Sequence, residues 1–349
     1  MTPPEDTTAS PRLVFIVGSP RSGTTWLQSL LGAHPSVVTP QETDVFSTLV
    51  APIQAGWERQ RELATGTDGR ARRPKGLPTL LRDDEFRALV DALVAQVIGA
   101  MAALDPSASV VVEKSPSHSR HTGLIASYLP DATFIHIVRD GRDVAASLQA
   151  ASSGWGSHWA PSDLNRAATL WRETVLGARE AAATSRYVEV RYEDLRAGDP
   201  APLRAAFAAC GLTVDDDGCR ALLDEYSLTR MAGGEVASPI AVAGVAGSTS
   251  GEVLEPSGFY GEGRVGGWTD WPAADRLLFD AVAGDLLIEL GLERDHTWAG
   301  TPFARRRYAW WVGARRRVAL EGRRIGYRSN MALRRLPGPR PTTPYDPDP

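Results

Sequence analysis

One stretch near the N-terminus restricts the possible folds of this chain more than any other. Residues 13–18 are almost wholly apolar, which favours a strand buried on both faces of a parallel sheet. Gly18 and Gly23 bracket the short loop that follows, and from residue 24 onward apolar side chains recur at helical spacing. Backbone N–H groups at such a loop and helix start favour an anion. The sequence therefore predicts a phosphate-binding loop.

The loop departs from the P-loop pattern at one position. Residues 18–25, GSPRSGTT, match the spacing GxxxxGK[ST], but Thr24 stands where that pattern has lysine. In P-loop enzymes this lysine reaches the β- and γ-phosphates of a nucleoside triphosphate, and the hydroxyl after it binds magnesium. The nearest cation here is Arg21. Taken alone, the loop leaves open a divergent metal-dependent kinase, a site for a single phosphate, and a purely structural loop.

The segment PRSGTTW, residues 20–26, resembles the 5′-phosphosulfate loop of sulfotransferases that use 3′-phosphoadenosine 5′-phosphosulfate (PAPS). In that family the loop holds the single 5′-phosphate that carries the sulfuryl group, and no metal is needed. The resemblance implies PAPS as the sulfuryl donor, without a metal cofactor. It also implies nucleotide contacts from Arg21, Ser22, Gly23, Thr24, Thr25 and Trp26.

The order of apolar segments along the chain predicts the fold class. Strands alternate with helices, which favours a parallel sheet. We therefore predict an α/β fold, a P-loop NTPase-like parallel sheet flanked by helices on both faces. The strands are predicted at 13–18, 108–114, 132–140 and 186–195, the helices at 24–33, 84–104, 119–129, 142–151, 163–184 and 273–290, and loops at 51–82 and 231–262.

The length and the charge distribution divide the chain. A single α/β domain is predicted over 13–300, after a disordered lead-in at 1–12. A basic, helical tail over 301–336 and a disordered end at 337–349 complete the chain. The net charge is −4, yet residues 304–340 hold twelve Arg and one Glu. This tail could contact an anionic membrane surface, an acidic partner or the protein's own acidic body. We favour self-docking or an interaction arm, and no nucleic-acid module is present.

Composition predicts the cellular compartment. No apolar run approaches the roughly 20 residues that span a membrane, and the acidic, Pro/Thr-rich N-terminus is unlike a secretory signal. Cys210 and Cys219 are the only cysteines, which gives no disulfide framework and fits a reducing cytosol. We therefore predict a cytoplasmic protein.

A second motif, IVRDGRDVAASL at 137–148, follows a predicted strand. Arg139 ends that strand at the sheet edge where ligands of open α/β folds bind, and Ser147 lies about two turns into the next helix. A guanidinium and a hydroxyl suit a phosphate monoester. The pair resembles the 3′-phosphate motif of the PAPS sulfotransferases, which implies that Arg139 and Ser147 bind that phosphate. The alternative is an ion pair between Arg139 and Asp140 at the helix start.

Lys114 ends another predicted strand at the same edge and is one of only two lysines, with Lys75. Sulfuryl transfer moves negative charge onto the bridging oxygen of the leaving phosphate, so a cation there lowers the barrier. Lys-Ser-Pro at 114–116 resembles the Lys-[Ser/Thr/Asp]-Pro segment of carbohydrate and tyrosyl-protein sulfotransferases. The resemblance implies that Lys114, with Arg21, stabilises this charge. A solvated lysine at the sheet edge is the alternative.

The catalytic base is sought in the segment PQETDVF at 40–46. In the cytosolic small-molecule branch the base is a histidine two residues after the lysine, where this chain has Pro116. Glu42 matches by spacing the glutamate that serves as base in the carbohydrate and tyrosyl-protein branches. The resemblance implies that Glu42 deprotonates the acceptor hydroxyl. Asp44, His118 and a purely structural Glu42 stay open.

Two further motifs extend the resemblance. RYEDL at 191–195 recurs near the adenine, which implies a nucleotide contact from Tyr192. GEGRVGGWTDW at 261–271 resembles the glycine-rich loop that closes over the 3′-phosphate, with Arg264 as its one basic residue. Several family members carry two adjacent cations where this chain has Gly261 and Glu262.

The segments between these motifs are predicted to form the acceptor site. They are 43–80, 151–162 and 231–260, and the second contains Trp155, His158 and Trp159. These aromatic residues either stack on a sugar or an aromatic acceptor or anchor their own loop.

The motifs combine into one predicted function. We predict a sulfotransferase that moves a sulfuryl group from PAPS to a hydroxyl, or secondarily an amine, of a small-molecule, carbohydrate or peptide acceptor. A metal-dependent P-loop kinase is the first alternative. The second is a non-catalytic nucleotide-binding interaction module that acts through its Arg-rich tail.

Overall fold

A five-stranded sheet organises the protein. The computed structural model describes residues 11–65, 75–183, 186–241, 259–260 and 263–308. The strand order is β2-β3-β1-β4-β5, and every neighbouring pair is parallel. The predicted α/β fold is therefore confirmed. The strands are β1 Arg12–Val17, β2 Val37–Val38, β3 Val110–Lys114, β4 Thr133–Val138 and β5 Arg186–Arg191.

The central strand β1 is buried on both faces, as its apolar sequence predicts. Val14 and Ile16 pack into a core on one face of the sheet, and Phe15 and Val17 pack into a separate core on the other. All four are fully buried. Successive side chains of a strand point to opposite faces, so a strand without polar positions needs cover on both.

Helices supply that cover. On the first face, α1, α8 and α9 contribute to the core, and on the second face α2, α3, α4 and the end of α6 do so. The helices are α1 Thr24–Gly32, α2 Ala51–Thr65, α3 Asp83–Ala102, α4 Thr122–Tyr128, α5 Gly141–Ser152, α6 Leu164–Glu180, α7 Tyr192–Arg196, α8 Pro200–Ala209, α9 Asp216–Glu225, α10 Leu228–Ala232 and α11 Ala273–Glu289. Residues 302–308 are also helical.

The carboxyl ends of three adjacent strands meet at one edge of the sheet. The chain leaves β1 at Val17, β3 at Lys114 and β4 at Val138, and β1 lies between the other two. Ligands of open parallel sheets bind at this edge. The topology therefore brings three separate motifs of the sequence to one place.

The predicted loop over 51–82 is wrong in its first half. Residues 51–65 form α2, which continues from a π-helical turn at Phe46–Val50. The one aromatic side chain of α2, Trp57, stacks on Phe86 of α3 with ring centroids 4.2 Å apart. A helix this polar is stabilised by such a long-range contact, which periodicity within the helix does not reveal.

The predicted strand over 186–195 is too long. β5 ends at Arg191, and Tyr192 begins the short helix α7. Tyr192 is buried, and a Cβ atom on Gly23 would lie 2.7 Å from its ring, so the tyrosine packs directly on the loop after β1. The remaining predicted elements differ from the structure mainly at their ends.

Several elements had no counterpart in the predictions. The helices α8, α9 and α10 and the two-residue strand β2 are new, and α8 and α9 lie beneath the first face of the sheet. Predictions for 1–10, for most of 242–262 and for the tail from 309 onward lie outside the described residues. Cys210 and Cys219 are buried free thiols. In the described ranges, no helix has the length and apolar character needed to cross a membrane.

One buried histidine lies in the sheet. His136 of β4 is fully buried, with Nδ1 2.7 Å from the Tyr187 hydroxyl. Within the described structure its Nε2 has no hydrogen-bond partner, and the nearby Glu189 carboxylate is already bound by Tyr187 and lies 3.6 Å from Arg179. Burial, aided by the charge of Arg179, lowers the pKa of His136 from 6.5 to about 3.

This histidine makes the stability of the protein depend on pH. Because the folded state keeps His136 neutral, the unfolded state binds one more proton between about pH 6.5 and about 3, so stability falls as the pH decreases through this window. At about 1.4 kcal/mol per pH unit, the wild type should lose about 2 kcal/mol more than His136→Leu between pH 7 and pH 5. Urea unfolding at both pH values measures this, with the exposed His158→Gln as control. Equal losses in wild type and His136→Leu would contradict the prediction.

Candidate active site

The loop between β1 and α1 has a fixed shape that its glycines permit. Gly23 has φ +91°, and a Cβ there would strike the Tyr192 ring, so only glycine fits. Arg21 also has positive φ, at 72°, which is uncommon for a residue with a side chain. Non-glycine residues with such a left-handed backbone conformation occur most often at functional sites.

The start of α1 presents unpaired hydrogen-bond donors. Gly23 is the N-cap residue and provides no side-chain cap, and the first N–H groups of a helix have no intrahelical partner. The hydroxyls of Ser19 and Ser22 are buried and make no hydrogen bond within the described residues. Unpaired buried donors beside a helix N-terminus fit an anion at this position.

Arg139, at the carboxyl end of β4, connects two loops. Its guanidinium donates to the carbonyl of Arg21 at 2.9 Å and to the carbonyl of Arg264 at 2.8 Å. The same group lies 4.3 Å from the centre of the Tyr192 ring, and its Nε has no partner among the described residues. The alternative ion pair with Asp140 is absent from the described contacts, because the Asp140 carboxylate binds Arg142 at 2.6 Å.

Arg21 reaches from the loop to α5. Its Nε donates to Ser147 Oγ at 3.1 Å, and its NH2 donates to the carbonyl of Phe259 at 2.8 Å. The guanidinium also lies 5.2 Å from the Trp155 ring centre and 5.5 Å from that of Phe259. Ser147 therefore lies beside the loop, and Trp155 contacts Arg21.

A cavity of about 370 Å³ opens between these elements. Ser22 is buried in the loop and does not line it. Arg264 lines it, although its side chain is mostly exposed and lies 3.7 Å from the Asp270 carboxylate. The predicted nucleotide-contact residues in its wall are Arg21, Gly23, Thr24, Thr25, Trp26, Arg139, Ser147, Tyr192 and Arg264.

A second polar cluster lies outside that wall and joins it at Thr25. The ammonium group of Lys114, only 2% exposed, donates to Thr25 Oγ1 at 3.1 Å and also binds the Glu42 carboxylate. The Glu42 side chain is 39% exposed, so solvent reaches it. The structure thus brings together three residues that are 17 to 89 positions apart in the sequence. The alternative of a solvated Lys114 is wrong.

The two competing bases make other contacts. The Asp44 carboxylate accepts a hydrogen bond from the Ser117 hydroxyl. His118 is fully buried, with Nδ1 2.9 Å from the Glu113 carboxylate, and its Nε2 accepts the N–H of Phe46 at 3.2 Å. Both ring nitrogens of His118 are therefore engaged: Nε2 with the segment that carries Glu42, and Nδ1 with Glu113 of β3.

Glu113 is a buried residue that the sequence analysis missed. Its carboxylate accepts hydrogen bonds from the hydroxyls of Thr43 and Ser115, at 2.8 and 2.7 Å, besides its contact with His118. Burial raises the pKa of Glu113, but its interaction with His118 and the hydrogen bonds from Ser115 and Thr43 outweigh burial and hold the pKa below its ordinary value. The sequence feature that could have identified Glu113 is its position directly before Lys114.

Two segments predicted for the acceptor site are only partly described. Residues 66–74 and 242–258 lie outside the described structure. In the remaining segment, 151–162, the Trp155 ring centre lies 5.4 Å from that of Trp159 and 5.0 Å from that of Phe259. Trp159 is 39% exposed and His158 lies on the surface. Trp155 thus anchors its loop, while Trp159 keeps an open face.

Comparison with known proteins identifies the family. A model of the sulfotransferase family matches residues 11–216, more than half of the chain, which include β1, β3, β4 and the predicted site residues from Arg21 to Tyr192. The chain belongs to the sulfotransferase family. This confirms the resemblance inferred from the motifs at 20–26 and 137–148.

Individual relatives match a shorter stretch of this sulfotransferase-family chain. Protein-tyrosine sulfotransferase 1 of Danio rerio is 30% identical over 136 residues, which are 39% of this chain and 35% of the relative. An uncharacterized protein of Aquifex aeolicus is 30% identical over 138 residues, which are 40% of this chain and 17% of that protein. The match thus spans about a third or less of either relative.

Among solved structures, mouse sulfotransferase SULT7A1 complexed with PAP is similar to this chain. The sequence identity is 13% and the TM-score is 0.47, over 80% of this chain and 85% of the mouse chain.

Proposed function

We propose that this protein transfers a sulfuryl group from PAPS to an acceptor hydroxyl, with amines as a second acceptor class. The contact between Lys114 and Thr25 carries the proposal. In a magnesium-dependent P-loop enzyme, the hydroxyl at the position of Thr25 binds the metal. Here that hydroxyl accepts a hydrogen bond from the Lys114 ammonium at 3.1 Å, so a cation of the protein occupies the metal's side of the loop. Membership of the sulfotransferase family supports the same reaction.

The cavity suits a nucleotide with two separate phosphates. The unpaired N–H groups at the start of α1 would hold the 5′-phosphate. Arg139, whose buried Nε is unpartnered in the described structure, and Ser147 would hold the 3′-phosphate. Tyr192 and Arg264 complete this wall of the cavity.

The reacting groups would come from the cluster beside Thr25. PAPS supplies a sulfuryl group on its 5′-phosphate for in-line transfer. Glu42 accepts the proton of the acceptor hydroxyl as the new bond forms. Lys114 and Arg21 donate hydrogen bonds toward the oxygens that gain charge on the leaving phosphate. Lys114 contacts both Thr25 and Glu42, and Arg21 belongs to the loop that precedes Thr25, so these groups could act on one phosphosulfate.

The acceptor class is a hydroxyl-bearing small molecule, carbohydrate or peptide. The similarity to a tyrosyl-protein sulfotransferase supports a phenolic hydroxyl as the first acceptor to assay. A panel of 4-nitrophenol, a tyrosine-containing peptide and a simple glycoside, each with radiolabelled PAPS, covers these classes. Release of adenosine 3′,5′-bisphosphate (PAP) with water as acceptor gives the background rate.

Calorimetry with PAP and with ATP tests the proposal without an acceptor. We expect PAP to bind with a Kd in the micromolar range, unchanged when magnesium is replaced by EDTA, and to bind at least tenfold more tightly than ATP. The reason is that two cation-lined phosphate sites fit the bisphosphate, whereas the loop has no lysine at Thr24 for a triphosphate. Tighter binding of ATP with magnesium than of PAP would instead favour the kinase.

A further inference from the structure

A carboxylate lines the cavity in which the bisphosphate is proposed to bind. Asp143, in the first turn of α5, is 3% exposed and faces the cavity together with Arg139 and Ser147. An acidic side chain repels a phosphate, and burial raises the pKa of Asp143. Such a residue needs a role that offsets this repulsion.

The contacts of Asp143 indicate that role. One carboxylate oxygen accepts the backbone N–H of Gly266 at 2.7 Å, and the other accepts that of Trp268 at 3.3 Å. Both donors belong to the segment 263–268, which lies within the described part of the glycine-rich motif. Gly266 has φ +78°, a left-handed conformation that glycine adopts without strain. The carboxylate is thus a two-point anchor for the main chain of this segment.

The residue before Asp143 holds the same segment by a side chain. The Arg142 guanidinium lies 3.5 Å from the Trp268 ring centre and 4.6 Å from that of Trp298. It is also bound by the carboxylates of Asp140 and Glu293, each at 2.6 Å. A cation paired with two carboxylates and placed on an indole face is firmly located. Trp268 is therefore fixed against α5 by its ring as well as by its N–H.

The other end of segment 263–268 contacts the nucleotide wall. The carbonyl of Arg264 accepts from Arg139 at 2.8 Å, and the carbonyl of Gly263 accepts from the Tyr192 hydroxyl at 3.3 Å. A shift of the anchored end would therefore displace Arg264 and alter the contacts of Arg139, the residue proposed to bind the 3′-phosphate. The 5′-phosphate loop at 18–23 has no described contact with Asp143.

We propose that Asp143 and Arg142 are positioning residues that shape segment 263–268 and thereby give the site its preference for a nucleotide with a 3′-phosphate. The inference rests on the proposed function, since it concerns the PAPS site. A purely electrostatic role for Asp143 predicts the opposite effect of its removal, because loss of a nearby negative charge should strengthen phosphate binding.

The Asp143→Asn variant separates the two roles by calorimetry with PAP and with adenosine 5′-monophosphate (AMP), which lacks the 3′-phosphate. Asparagine can accept a hydrogen bond from only one of the two backbone N–H groups. Its NH2 group is a donor and would face the other N–H, which is also a donor. We expect PAP to bind about tenfold more weakly and AMP to change less than twofold, since only the 3′-phosphate site is disturbed. Tighter or unchanged PAP binding, or equal loss for both nucleotides, would overturn the proposal.

Two further variants complete the test. Asp270→Asn removes a carboxylate from the adjacent turn that accepts no described backbone N–H, and PAP binding should not weaken. Trp268→Leu removes the ring from Arg142 but changes no charge, and should lower the preference for PAP over AMP in the same direction as Asp143→Asn. Thermal unfolding with AMP present verifies that each variant is folded. If the wild type itself does not prefer PAP to AMP, the proposed function fails. A wild type that prefers PAP, together with variants that keep this preference or lose affinity for both nucleotides equally, refutes only this inference.

Discussion

Replacing Glu42 with glutamine is expected to lower the rate of sulfuryl transfer by a factor on the order of 10² or more. Glutamine keeps the size of the side chain and one hydrogen-bond acceptor toward Lys114, but it cannot take a proton from the acceptor hydroxyl. PAP binding should stay within about twofold of wild type, because Glu42 lies outside the nucleotide cavity. Initial rates with saturating PAPS and the best acceptor of the panel, beside calorimetry with PAP, provide the two measurements.

Asp44→Asn is the matched control for this experiment. Asp44 lies two residues after Glu42, has φ 50° and binds the Ser117 hydroxyl. Asparagine tolerates this left-handed conformation, so the substitution removes the charge without adding backbone strain. Turnover should therefore change little. A large loss in Asp44→Asn together with normal turnover in Glu42→Gln would transfer the role of base to Asp44.

The contacts of His118 explain why it is a poor candidate for the base. A general base must offer a free lone pair within reach of the acceptor. The Nδ1 of His118 faces Glu113, and its Nε2 already accepts the N–H of Phe46. Its sequence position, shortly after Lys114, suggested chemistry, whereas its burial and pairing fit a structural role.

The sequence predicts those parts of the fold that depend on local pattern. The apolar run of β1, the two glycines of the loop and the helical spacing of α1 lie within 20 consecutive residues, and each has its own steric reason. The order of strands in the sheet cannot be predicted in this way, because it depends on which distant segments pair. The two-residue strand β2 forms only through its register with Val110 and Val111, so no propensity reveals it.

The two errors in the predicted secondary structure, at α2 and at the end of β5, also arise from contacts between distant segments. Helix α2 is polar apart from a few side chains, and its burial depends on the stacking of Trp57 on Phe86, 29 positions away. Tyr192 continues the apolar alternation of β5 in sequence, but in the structure it turns to pack against Gly23. In both cases a tertiary contact overrides the local pattern.

The sequence likewise predicts some parts of the candidate site and not others. Arg21, Arg139 and Ser147 belong to recognisable motifs, and the topology brings these motifs to one edge of the sheet. The contact between Lys114 and Thr25 joins the end of β3 to the first turn of α1 and could not be derived from spacing. Asp143 lies inside a motif that was recognised, yet its role depends on a segment more than 120 positions later, so the motif gave no indication of it.

Replacing Arg139 with alanine is expected to weaken PAP binding by a factor on the order of 10² or more, since truncation of a buried charged partner typically costs about 2–5 kcal/mol. The guanidinium is 6% exposed and joins the loops at Arg21 and Arg264, so its loss removes a phosphate contact and also releases both carbonyls. AMP should be affected less than PAP, because only PAP carries the 3′-phosphate.

Arg139→Lys and Arg172→Ala refine this last prediction. Lysine keeps the charge but cannot contact two carbonyls and a phosphate with one planar group, so its PAP affinity should lie much closer to alanine than to wild type. Arg172 forms an ion pair with Asp285 outside the cavity, and its loss should leave PAP binding unchanged. Wild-type affinity in Arg139→Ala would show that the bisphosphate does not bind at this strand end. Near-normal affinity in Arg139→Lys would show that positive charge alone is sufficient there, and that the fixed geometry of the two loops contributes little to binding.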